Sequence, residues 1–123
     1  MSETDLFREL REAENEGTVW TLPGSEDLNA NLVRFEAGGG VEAHVNEEVD
    51  VLFVGADGSA TVSVDGEEHS LKAGTAVFVP KGSRRSVAAG PEGVSYLSVH
   101  RRRGRPRINS RPRRDNAEED GGS

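Results

Sequence analysis

The chain has no cysteine. That excludes disulfides, thiolate nucleophiles and zinc–thiolate sites. It fits a reducing compartment, and a cytoplasmic location is the expectation. No apolar run is long enough for a transmembrane helix. The opening Met1-Ser2-Glu3-Thr4-Asp5 is acidic and has no apolar signal core. Aromatic residues are scarce: one Trp, one Tyr and four Phe among 123 residues. A core must therefore be built from Val, Leu and Ala, which suits a small β-structure.

Positive charge is sparse in the first hundred residues, with 7 Lys/Arg against 18 Asp/Glu. Residues 101–114 reverse this with 8 Arg and no acid, and 115–123 hold 4 acids and no base. The acidic body disfavours general nucleic-acid binding by its surface. The length suits one domain with a real core.

What is present is strand patterning. Thr4 to Asn15 reads first as a short amphipathic helix, with Ser2 or Thr4 as its N-cap and Gly17 at its end. Strands are then expected at Thr18–Leu22, Asn29–Glu36, Val41–His44, Val49–Val54 and Ser59–Val64. Four more follow at Glu67–Leu71, Thr75–Val79, Ser83–Ala88 and Val94–His100. Val49–Val54 is nearly all apolar and reads as buried on both faces. Ala56-Asp57-Gly58 reads as a turn, and Asp65-Gly66 is a strong hairpin signal. About nine short strands argue for a small antiparallel sandwich or barrel. After His100 the apolar period stops, and residues 101–123 read as a disordered charged tail.

Two stretches carry the chemistry. In the second, Gly74, Pro80, Gly82 and Arg85 follow one another at spacings that resemble the second motif of the cupin superfamily. In the first, His44 matches the family's histidine. Asn46 stands where a second His belongs, and Asp50 where the family usually has Glu. The resemblance covers roughly residues 30 to 100. It implies an all-β jelly-roll barrel, here with a short N-terminal helix before residue 18, and it implies a homodimer.

In metal-binding cupins two His and one Glu from the first motif and one His from the second hold a divalent ion. Arg85 stands in place of that last His. A guanidinium is always charged and only donates, so it cannot ligate a cation. The resemblance thus implies a pocket without a tight metal or other cofactor. A divalent ion would have to rely on His44 and Asp50, with a further donor such as His100. His69 reads as a surface residue.

Two roles for Arg85 stay open. It forms an ion pair with Asp50 where a metal would sit, or with Asn46 and His44 it receives the carboxylate or phosphate of a small ligand. The expected function is binding of a small anionic molecule as a sensing or accessory module. The alternative is an enzyme, either a metal-dependent oxygenase or isomerase or a metal-free isomerase using His44. A second alternative lies in the tail. Arg103-Gly104-Arg105-Pro106 resembles the core of the AT-hook peptide, which implies weak binding in the minor groove of DNA. Composition alone favours a solvated tail, or one folded back on the acidic body.

Overall fold

The computed structural model describes residues 3–102. Arg103, Gly104, Arg105 and Pro106 lie outside the described residues, as does the rest of the expected disordered tail. None of the described helices is long and apolar enough to cross a membrane.

Among the described residues one short helix precedes seven strands. Helix α1 is Leu6–Glu12, shorter than the expected span. Its N-cap is Asp5, not Ser2 or Thr4, and the Asp5 carboxylate accepts the Arg8 amide at 3.1 Å. No α1 residue is buried, so no packed face extends the helix beyond its cap. The strands are β1 Gly17–Thr21, β2 Leu28–Phe35, β3 Gly40–Val45, β4 Val51–Val64, β5 Glu67–Lys72, β6 Ala76–Val79 and β7 Arg84–Arg101. All pairings are antiparallel. The sheet runs β1-β2-β7-β4-β5, with β3 also on β7 and β6 also on β4. This is the expected jelly roll.

There are seven strands and not nine because two expected breaks are continuous. Ala56-Asp57-Gly58 does not turn the chain. Asp57 pairs with Ser95 and Gly58 with Val94, and the register shifts on either side of them. These are bulges inside β4. They change which face a given parity occupies. Val51 and Phe53 are buried before the bulges, and Ala60 and Val62 after them. In β7 the buried positions likewise change from Arg85 and Val87 to Val94, Tyr96, Ser98 and His100. Gly58 has φ +68°, and a Cβ there would collide with the Gly93 carbonyl oxygen. Glycine is required at that crossing.

The Asp65-Gly66 hairpin forms as expected, with both residues at positive φ. One apolar cluster fills the interior, including Val49, Val51, Phe53, Leu71, Val79, Val87 and Tyr96. Strand β7 runs one residue beyond His100. Arg102 N–H then bonds to the Asp27 carbonyl at 2.7 Å.

Candidate functional site

β3 and β7 bring the two motifs together. His44 and Arg85 are register partners across that pair. Arg85 is 2% exposed, on the same inward face as Val87. Its Nε donates to His44 Nε2 at 3.2 Å. His44 Nδ1 lies 3.0 Å from the Glu42 carbonyl oxygen. Both bonds are satisfied by one neutral tautomer: Nδ1 donates to the carbonyl, and the Nε2 lone pair accepts from the guanidinium.

The other two expected residues have different partners. Asn46 is buried, and its Oδ1 accepts the Glu48 amide at 2.8 Å and the Val49 amide at 3.4 Å. Its carbonyl accepts the Gly82 amide at 2.7 Å. Asn46 therefore caps the turn into β4 and ties it to the Pro80–Gly82 turn. Asp50 is exposed, and its Oδ1 accepts the Lys81 amide at 2.9 Å. It lies between Val49 and Val51, both 1% exposed, so alternation turns it to the outer face. The structure thus corrects the placement of Asp50 beside Arg85. Reading Val49–Val54 as buried on both faces concealed this parity. The acid with a buried oxygen is Glu48, whose Oε1 has no hydrogen-bond partner among the described residues.

This donor set does not fit a divalent cation. The His44 Nε2 lone pair is engaged by a guanidinium, and Asp50 faces elsewhere. His100 is buried with Nδ1 2.8 Å from the Arg101 carbonyl oxygen. Among the described residues, no group of three His, Asp or Glu side chains could hold a metal ion. His69 is paired with Glu67 at 3.6 Å near the surface, as expected.

A half-open pocket of about 140 Å³ also enters the barrel, with Gly17 and Thr18 of β1 at its side. Phe35, Phe53, Tyr96, Val41, Asn31 and Ser98 are among its walls. None of the four expected site residues lines it. Phe53 and Tyr96 meet edge to face, with ring centroids 5.0 Å apart. Burial holds the Tyr96 phenol well above its ordinary pKa, and the nearby Arg85 charge works in the opposite direction. Ser98 pairs with Asn31 on β2 and Phe53 on β4. Its Oγ is buried without a partner among the described residues. The alternation Val94, Tyr96, Ser98, His100 was the available signal for this wall. It says nothing of a cavity until β2 and β3 are placed opposite.

The cavity and the Arg85 pair are adjacent. Val41 lines the cavity and pairs with Val87. Val87 lies two residues from Arg85 on the same face, about 7 Å along the strand.

Among solved structures, TT1209 from Thermus thermophilus is similar at 27% identity and a TM-score of 0.70, covering 82% of this chain and 97% of that one. KdgF from Halomonas sp. is similar at 22% identity and a TM-score of 0.64, covering 69% and 77%. Among curated proteins, dimethylsulfoniopropionate lyase DddW of Ruegeria pomeroyi is 29% identical over 76 residues. That match takes in 62% of this chain but only 49% of the relative, so the chain spans about half the length of the curated protein it matches. The cupin domain pattern matches residues 31–100. Because that match takes in more than half of the chain, including the strands that carry the His44–Arg85 pair, the chain belongs to the cupin domain family.

Proposed function

We propose that this cupin binds a small anionic molecule inside its barrel without a resident metal. Arg85 receives the acid group, and the role is that of a sensing or accessory module. The observation that carries this is a guanidinium only 2% exposed, held on His44 next to a half-open pocket of the barrel. A buried guanidinium is a strong, geometrically specific receptor for carboxylate or phosphate. His44 acts as its positioning partner. Asn46 contributes by holding the turn beneath the pair. Asp50 stays outside, so it does not compete with the ligand for Arg85.

Calorimetric titration with short carboxylates and with inorganic phosphate tests this. Binding that disappears in Arg85→Gln and persists in Asp50→Asn supports it. Binding of equal strength in Arg85→Gln removes it.

A second reading is an enzyme, and the similarity to a dimethylsulfoniopropionate lyase favours considering it. His44 would then serve as base, but its Nε2 lone pair is occupied by Arg85. An assay for cleavage of dimethylsulfoniopropionate decides this second reading directly.

A further inference from the structure

We infer that the half-open pocket is a binding site of its own, for a small uncharged molecule with one ring and one hydrogen-bond acceptor. The ring lies against Phe35, Phe53 and Tyr96, and the acceptor takes an N–H from Asn31. This site stands apart from the acid reading, because Arg85 is not among the pocket's walls.

The body of the molecule follows from the walls. Among the described residues no charged side chain lines the pocket, so an ion inside it would lose hydration without gaining a partner. Three rings meet there. Tyr96 lies edge to face with Phe53, centroids 5.0 Å apart, and tilted against Phe35 at 6.5 Å. Such rings favour a further ring placed offset or edge-on. Val33 and Val41 add aliphatic surface from β2 and β3. The volume of about 140 Å³ is close to that of a protein cavity of roughly 150 Å³ that admits benzene, so one ring fits.

The polar group follows from the β1–β2 side. Ser98 offers the pocket no hydroxyl, because its Oγ is buried. Asn31 is half-buried and lines the pocket. Thr21, its register partner on β1, holds it in place by donating from Oγ1 to Asn31 Oδ1 at 2.8 Å. That bond uses the amide oxygen and leaves the two N–H donors of Nδ2. Nδ2 has no hydrogen-bond partner among the described residues, and it is not one of the buried atoms that lack one, so it stays open to solvent. A donor fixed at the side of an apolar pocket selects an acceptor such as a carbonyl oxygen.

The probes are acetophenone, ethylbenzene and benzoate, titrated into the isotope-labelled full chain and followed by the NMR shifts of its backbone amides. Acetophenone and ethylbenzene are alike in shape, and only the first carries an acceptor. Acetophenone should move the signals of Asn31, Val41, Phe53 and Tyr96 and bind about fivefold more tightly than ethylbenzene. Asn31→Leu should erase that preference and leave ethylbenzene bound. Val41→Phe should narrow the pocket and weaken both. The ratio in the unaltered chain needs no variant. If acetophenone at millimolar concentration leaves these four signals still, the site is overturned. Equal affinity for acetophenone and ethylbenzene overturns the acceptor on Asn31. Benzoate binding at the same signals as tightly as acetophenone overturns the uncharged ligand and leaves the acid reading of Arg85 standing.

Discussion

Arg85 donates from Nε to His44 Nε2 across 3.2 Å, joining β7 to β3 at the point where the two sequence motifs meet. The relationship decides the chemistry of the site, because a guanidinium occupies the lone pair a metal would need. It also makes Arg85 and His44 energetically dependent on one another. A double-mutant cycle with Arg85→Ala and His44→Ala should return a coupling of about 1–3 kcal/mol in denaturant unfolding. The same cycle with Arg85→Ala and Asp50→Ala should return less than about 0.5 kcal/mol, because Asp50 is held by Lys81 on the outer face. A larger coupling to Asp50 than to His44 would reverse the assignment of partners.

Tyr96 should resist ionisation in the folded protein. It is the only tyrosine, so its tyrosinate absorbance has one source. Burial raises its folded pKa above the unfolded value of about 10. The sign follows from proton binding. Below the unfolded pKa this group's contribution is fully present, and it is lost as pH rises from there toward the folded pKa. Spectrophotometric titration should show tyrosinate appearing together with unfolding and not before it. Tyr96→Phe should flatten the alkaline loss of stability. Tyrosinate formed near pH 10 in a protein that keeps its fold would contradict the burial argument.

Purification without chelator should yield protein with far less than one equivalent of any transition metal. The reason is the donor set around His44, which among the described residues lacks three converging ligands. Elemental analysis measures this. Near-stoichiometric metal that His44→Ala removes would show that the side chains rearrange to bind it.

The outer face of the sheet should bind a second copy of the chain. Phe78 and Leu52 are cross-strand partners, 57% and 39% exposed. Leu52 also pairs with half-buried Val99. Three strands thus carry one uncharged row on this outer face, where a solvated antiparallel sheet would be polar. Two copies of an acidic body repel least where the contact is neutral, and a two-fold axis through this row satisfies that. Light scattering should report a dimer, and Phe78→Glu should give a monomer with its fold intact. A monomeric parent chain would rule this out.

The barrel should end at Arg102. A chain truncated after Arg102 should melt within a few degrees of the full chain. One truncated after His100 loses the Arg102 bond to Asp27 and the Arg101 Nη2 bond to the Glu48 carbonyl at 3.1 Å. Its midpoint should drop by roughly 4–8 °C for each kcal/mol lost. A large loss from the first truncation would show that the arginines beyond residue 102 dock on the body. Salt-dependent affinity for A·T-rich DNA, lost in the same truncation, would identify the other role expected of them.

Local chemistry by itself determined much of this molecule. Asp65-Gly66 makes its hairpin because those residues tolerate positive φ. Alternation along 59–64 and 94–100 makes strands, and the spacing of Gly74, Pro80, Gly82 and Arg85 carries the family resemblance. That His44 and Arg85 meet was legible for the same reason, since their positions follow from motif spacing. The remainder was decided by tertiary pairing. Strand parity has a period of two, so each bulge can change the face that every later side chain occupies. Whether Ala56–Gly58 turns or bulges depends on β7 continuing alongside it, and no local residue reports that. The pocket takes its walls from β1, β2, β3, β4 and β7 at once. Asp50 faces outward because Val49 and Val51 fill the core on either side of it.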